Sequence, residues 1–111
     1  MIWRGELYDL DLGQPVGHEP AFERPAVVVS SDIVNNSPGQ LVIVVPVSTR
    51  AYGLRSHVEL DAASTGLGGP SFARCDQIRV VSTRRLLGRR GQVPVEQMQS
   101  IDRALQFILD L

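Results

Sequence analysis

Hydrophobic and polar positions follow the pattern of strands along the first three quarters of the chain. GELYDLDLG (residues 5–13) and SHVELD (56–61) alternate, which predicts half-buried strands. AVVVS (26–30) and LVIVVPV (41–47) are continuous β-branched runs too short for helices, so they predict strands covered on both faces. SFARCDQIRVV (71–81) is long enough for one bent strand or two short ones.

The segments between these strands favour turns and loops. Residues 13–25 contain two glycines and three prolines, which predicts a loop. SDIVNNSPGQ (31–40) is rich in side chains that turn a chain by bonding their own backbone or by fixing φ. ASTGLGGP (63–70) is predicted to be a mobile surface loop, because its glycines lack the Lys-Ser/Thr of a phosphate-binding loop.

In the last third of the chain, the spacing of apolar residues changes from that of strands to that of helices. STRRLLG (82–88) predicts a short helix with Ser82 as its cap and Gly88 as its stop. Residues 94–111 predict a longer helix that begins at a proline and packs one face onto a sheet. The predicted apolar face consists of Val95, Met98, Ile101, Leu105 and Ile108.

These elements predict one α+β, mainly β domain over residues 1–111. We expect a strongly curved antiparallel sheet closed toward a small barrel, with the C-terminal helix against it. No apolar run approaches a membrane span and no signal peptide is recognisable, so the expected location is the cytoplasm. The single cysteine, Cys75, agrees with a reducing compartment and is expected to be a small buried hydrophobe.

Charge and motifs exclude several classes of site. The net charge of −1 gives no support to a nucleic-acid partner, yet all eleven basic residues are arginine. A guanidinium binds phosphate through two hydrogen bonds, so the arginines could serve a phosphate-binding site. A GC-rich coding bias would equally make every basic residue an arginine. His57 and Glu59 form an H-x-E pair without its P-C-x-x-C partner, so neither a metal site nor a cofactor is expected. The four arginines in residues 84–90 form either a nucleic-acid patch or a solvated helix end.

Polar residues at strand ends are the remaining candidates for a site. Arg24 precedes the first β-branched run, and Ser48, Thr49 and Arg50 follow the second. If these two strands pair antiparallel, Arg24 meets Ser48 and Thr49 at the rim of the sheet. The alternative is a structural ion pair between Arg24 and Glu19, Glu23 or Asp32.

The chain resembles the MazF/PemK family of toxin endoribonucleases over nearly its whole length. The motifs that carry the resemblance occur in the family's order and spacing. They are RGELYDLDLG (4–13), GHEPAFERPAVVVSSD (17–32), VVPVST (44–49) and CDQIRVVSTRRLLGRRGQV (75–93).

The resemblance implies an SH3-like barrel, a homodimer and a partner antitoxin. It also implies metal-independent, sequence-specific cleavage of single-stranded RNA (mRNA) by 2′-hydroxyl attack, leaving a 2′,3′-cyclic phosphate and a 5′-hydroxyl. Arg24 matches the family's catalytic arginine. Ser48 occupies the position of its catalytic threonine, and because Thr49 follows directly, either hydroxyl is a candidate.

Further residues are predicted to contact the RNA, by stacking on bases, bonding base edges or binding the backbone. His18 and Glu19 are also candidates for the base that takes the 2′-hydroxyl proton. The predicted RNA contacts are His18, Glu19, Phe22, Ser30, Asp32, Asn35, Asn36, Arg50, Gln77 and Arg79.

Two rival functions fit the same fold, since fold does not fix function. One is a non-catalytic toxin that binds a protein target such as DNA gyrase, as CcdB-type toxins do. The other is a degenerate family member that only binds an antitoxin, which the serine at position 48 favours. The R-P (24–25) and V-P-V-S-T (45–49) motifs favour the nuclease.

Overall fold

A computed structural model describes residues 1–13, 16–17 and 23–111. Strands in these ranges are β1 (Glu6–Asp11), β2 (Glu23–Val28), β3 (Leu41–Ser48), β4 (His57–Leu60), β5 (Ser71–Arg74), β6 (Arg79–Ser82) and β7 (Leu86–Gln92). Helices are α1 (Asp32–Asn35), α2 (Ala62–Thr65) and α3 (Val95–Leu109), with short 3-10 turns at Cys75–Gln77 and Thr83–Arg85. None of the described helices is long and apolar enough to cross a membrane.

The described strands form one antiparallel sheet in the order β4-β5-β3-β2-β1-β7, with β6 also paired to β3. β3 has three partners because its eight residues reach past the end of each shorter neighbour. Its first half pairs with β6, its middle with β2 and its last two residues with β5. The prediction of an antiparallel, mainly β fold with a C-terminal helix is confirmed.

The central strands β2 and β3 are buried on both faces, as their unbroken apolar runs predict. Val27 and Val45 belong to the core cluster that contains Ile101 of α3. Val28 and Val44 point to the opposite face and pack with a second cluster around Leu10.

Helix α3 covers the first cluster with Met98, Ile101 and Ala104, while Leu105 and Ile108 pack at its edge. The prediction was wrong for Val95, which is 69% exposed. Helical side chains lean toward the N-terminus, so Met98 covers the core beneath the first turn and Val95 extends beyond it.

The predicted helix over residues 82–88 was wrong beyond its first turn. The Ser82 hydroxyl caps a single 3-10 turn by accepting a hydrogen bond from the backbone N–H of Arg84, at 3.2 Å. Gly88 does not end a helix, because it lies within β7 and pairs with Asp9 of β1. Pairing with β1 satisfies the backbone groups along one edge of β7, and that gain outweighs a weak helical period.

Three other connections also differ from or refine the sequence expectations. β2 begins at Glu23, inside the predicted loop. The predicted turn at 31–40 contains α1, and α2 overlaps the first three residues of the loop predicted at 63–70. Residues 71–81 form two short strands, one of the two arrangements expected.

Cys75 lies between these two strands with its thiol buried, and this burial raises the pKa of Cys75 to about 12. That placement confirms the expected small buried hydrophobe.

Candidate functional site

A cleft of about 270 Å³ opens where β2 begins and β3 ends. It is lined by Arg24, Pro25, Val47, Ser48, Thr49, Leu67, Gly68, Gly69, Ser71 and Arg90. Ala26 pairs with Pro46, and Val27 pairs with Val45. Two residues further toward the start of β2, the same register sets Arg24 opposite Ser48. The antiparallel register therefore places Arg24 beside Ser48 and Thr49, as predicted from the strand ends.

Arg24 brings to this cleft a positive charge that no carboxylate of the described residues pairs with. Its Nε is buried and has no hydrogen-bond partner among the described residues. Neither Glu23 nor Asp32 lies within ion-pair distance of it, although Glu19 falls outside the described residues. A buried donor without a partner costs about 1–3 kcal/mol, so the position is one that an anion would satisfy.

The two hydroxyl groups beside Arg24 differ in how firmly they are held. Ser48 is buried, and its Oγ accepts a hydrogen bond of 3.1 Å from the backbone N–H of Arg50. That bond fixes the oxygen and leaves the hydroxyl proton free to be donated. Thr49 is exposed and its hydroxyl has no partner among the described residues, so its orientation is not fixed.

The opposite wall is the glycine-rich segment that follows α2. Gly66 has φ +71°, and a Cβ on it would come within 2.6 Å of the carbonyl oxygen of Arg90. A Cβ on Gly91 would come equally close to the carbonyl oxygen of Thr65. This contact between α2 and β7 holds residues 67–69 against the cleft, so these residues form a wall of the site.

Arg90 is the second arginine of the cleft, and it is paired. Its guanidinium donates to a carboxylate oxygen of Asp9 at 3.2 Å and to the carbonyl of Gly66 at 3.5 Å. Sequence reasoning missed Arg90 and Ser71 as cleft residues, since nothing in the local sequence tells which strand will flank β1 or β3. Of the two guanidinium groups, only that of Arg24 lacks an internal partner among the described residues.

Four of the predicted RNA contacts lie at the other end of β2, away from the cleft. The Ser30 hydroxyl donates to the Asn35 amide oxygen, and the Asn35 amide nitrogen donates to the Ser30 carbonyl at 3.0 Å. Asp32 accepts from the backbone N–H of Arg4 at 2.6 Å, and Asn36 bonds both backbone groups of Ile2. The structure gives these side chains a tethering role and does not bring them to Arg24.

The remaining predicted contacts are dispersed. Arg50 is exposed directly after Thr49, beside the cleft. Gln77 lies in the turn after β5, and Arg79 pairs with Val44 near the middle of β3; neither lines the cleft. His18, Glu19 and Phe22 lie outside the described residues.

His57 is engaged elsewhere. Its Nε2 lies 2.9 Å from a carboxylate oxygen of Asp76, and its Nδ1 is buried without a partner among the described residues. Within residues 1–13, 16–17 and 23–111 no three His, Cys, Asp or Glu side chains cluster as metal ligands would.

Comparisons with known proteins place the whole chain in one group. A family described as PemK-like, MazF-like toxin of type II toxin-antitoxin system matches residues 3–109. The endoribonuclease MazF9 of Mycobacterium tuberculosis (strain ATCC 25618 / H37Rv) is 39% identical over 116 residues, covering 100% of this chain and 98% of its own length.

Solved structures agree in fold. The crystal structure of MazF from Deinococcus radiodurans superposes with a TM-score of 0.86 at 27% identity, covering 99% of this chain and 97% of that one. A MazE-MazF complex from the same organism gives a TM-score of 0.80 at 28% identity, covering 99% and 96%.

Proposed function

Because the chain belongs to the PemK-like, MazF-like toxin family of type II toxin-antitoxin systems, we propose that it is an endoribonuclease that cleaves single-stranded RNA. The observation that carries the proposal is the guanidinium of Arg24, which has no partner among the described residues and lies beside Ser48 in the cleft. A relative of nearly equal length that is named an endoribonuclease supports the enzyme class.

The proposed reaction is a phosphoryl transfer within the RNA. The ribose 2′-oxygen bonds to the adjacent phosphorus as the bond from phosphorus to the 5′-oxygen breaks. The products are a 2′,3′-cyclic phosphate and a 5′-hydroxyl, so the 2′ proton goes to a base and the leaving 5′-oxygen gains a proton. Negative charge grows on the nonbridging oxygens in the transition state, and preorganised donors stabilise it there.

Arg24 supplies the principal electrostatic stabilisation. A guanidinium offers N–H donors and no acceptor, so Arg24 acts as a hydrogen-bond donor to phosphate and not as a base. Because no internal carboxylate among the described residues competes for it, its full charge is available to the phosphoryl oxygens.

Ser48 supplies the second donor. Its Oγ is fixed by the Arg50 N–H while its own proton is free, so the hydroxyl is preorganised in the way that Thr49 is not. The described part of the cleft lining contains no carboxylate or imidazole to take the 2′ proton. His18 and Glu19 remain the proposed candidates for that step.

The proposed partners follow from family membership. A cognate antitoxin is expected to occupy the RNA site, and the MazE-MazF complex of a structural relative supports an assembly of this kind. We further propose a homodimer of single-domain chains that acts on mRNA in the cytoplasm, where the unpaired Cys75 stays reduced.

The test is incubation of the purified protein with a long single-stranded RNA in EDTA, followed by mapping of cut sites and end groups. We expect discrete cuts with cyclic-phosphate ends, and no cuts with Arg24→Ala. Cuts that require a divalent metal would contradict the metal-independent mechanism. Intact RNA would contradict the nuclease and favour a toxin that acts by binding a protein.

A further inference from the structure

A second cluster of ring and guanidinium groups lies on β4, β5 and the loop before them. The Arg74 Cζ lies over the ring of Tyr52, 5.4 Å from its centroid. The rings of Tyr52 and His57 are 5.6 Å apart at an interplanar angle of 82°. Although both neighbours touch it, Tyr52 remains 48% exposed, so much of its ring faces solvent.

The cluster rests on a rigid base. The His57 side chain is only 3% exposed, and its Nε2 lies 2.9 Å from a carboxylate oxygen of Asp76. His57 and Arg74 are paired residues of β4 and β5, so the ladder fixes their relative position. Tyr52 is therefore held at a defined place on the sheet, although it lies in a loop.

Arg74 resembles Arg24 in its lack of a counter-charge. Its Nε is buried without a partner among the described residues, and it forms none of the ion pairs found there. By contrast, Arg4, Arg89 and Arg90 all pair with carboxylates. An arginine packed on an exposed aromatic ring, with donors to spare, can bind a phosphate while the ring stacks a base.

The register joins this cluster to the Arg24 cleft. Ser48 pairs with Phe72, and Arg74 is two residues further along the same strand. The alternate residues Val58 and Ala73 face the core, so Ser48, Phe72 and Arg74 share the opposite face. Strand spacing sets the Arg74 and Ser48 backbones about 8 Å apart, so one RNA strand can reach both residues.

We infer that Tyr52 and Arg74 form a nucleotide subsite of the cleavage site. A base flanking the cut phosphate stacks on the Tyr52 ring, and Arg74 donates to a neighbouring phosphate oxygen. This inference rests on the proposed ribonuclease function and adds to it the residues that hold the substrate beyond the reacting phosphate.

The test compares variants on a short RNA that carries one mapped cut site. Tyr52→Ala and Tyr52→Leu remove the flat ring, and KM should rise about 5- to 150-fold with kcat unchanged. Arg74→Gln should raise KM in the same way and weaken the salt dependence of binding. Tyr52→Phe keeps the stacking surface and should behave like the parent protein.

Arg55 provides a matched control. Its Cζ lies 4.2 Å from the centroid of the Phe107 ring, so it is also an arginine on an exposed aromatic ring, but it contacts α3 and not the cleft. Arg55→Ala should leave KM and kcat at parental values. Equal effects of Arg55→Ala and Tyr52→Ala would overturn the inference.

A length series and a binding assay separate the remaining outcomes. With an RNA too short to reach Tyr52, the parent and Tyr52→Ala proteins should have the same KM. If the parent cleaves RNA but Tyr52→Ala keeps the parental KM, the subsite is wrong and the nuclease stands. If the parent neither cleaves nor binds RNA by fluorescence anisotropy, both are wrong. An effect of Tyr52→Ala on antitoxin binding alone would also overturn the subsite.

Discussion

The two ends of β2 carry polar groups in opposite states. Beyond Val28, Ser30 and Asn35 are buried, and their side chains bond one another and the backbone. At the other end, Arg24 has a buried nitrogen without a partner among the described residues. Bonded polar groups stabilise a fold, whereas unbonded ones cost free energy unless a ligand satisfies them. The contrast separates residues that hold the sheet from residues left available for substrate.

Arg24→Ala should show the largest effect on activity and no loss of stability. Loss of one preorganised donor costs about 100- to 1000-fold in kcat. The free energy of unfolding should stay the same or rise, because the substitution removes a buried donor that has no partner among the described residues. RNA cleavage and urea denaturation measure the two quantities.

Arg84 supplies the control for that experiment, since it is an exposed arginine away from the cleft. Arg84→Ala should leave both quantities unchanged. A loss of more than about 2 kcal/mol of stability in Arg24→Ala would mean that Arg24 holds the sheet together, as an ion-paired residue does.

Ser48→Ala should have the next largest effect, because it removes the fixed hydroxyl beside Arg24. We expect kcat to fall about 100-fold, while Ser48→Thr, which keeps a hydroxyl at the strand end, should retain most of the activity. Single-turnover kinetics measure the rate of the cleavage step. If Thr49→Ala is slow and Ser48→Ala is not, the donor is Thr49 and rigid positioning is not needed.

Asn35→Ala should show the reverse of Arg24→Ala. Its removal leaves the Ser30 hydroxyl and carbonyl short of partners in a buried place, so stability should fall by about 1–3 kcal/mol. Cleavage per folded molecule should not change. Asn36→Ala is the exposed counterpart and should cost less stability. A cleavage defect in folded Asn35→Ala would show that this end of β2 also binds RNA.

The sequence was sufficient to predict the elements whose pattern is local. The β-branched runs of β2 and β3 and the apolar spacing of α3 each show in a few adjacent residues. The position of Arg24 beside the end of β3 could be predicted as well, because antiparallel pairing of two neighbouring strands sets the start of one beside the end of the other.

What could not be predicted depends on distant contacts. Residues 86–92 became a strand because β1 was available to pair with them, which a helical pattern of two leucines does not reveal. The wall formed by Gly66 requires its contact with Arg90, 24 residues away. The sequence could not show that Ser30 and Asn35 bond one another, because satisfied and unsatisfied polar groups read alike in a sequence.

Cys75 gives the cleft a built-in reporter of its own motion. It is the sole cysteine of the chain, and its thiol is sealed in the core at the end of β5, the strand that supplies Ser71 to the cleft. A thiol-modifying reagent can reach it only when the packing around the end of β5 opens. The rate of labelling therefore counts openings of the sheet beside the cleft, and the degree to which RNA or an antitoxin slows it measures how firmly each one holds the sheet closed.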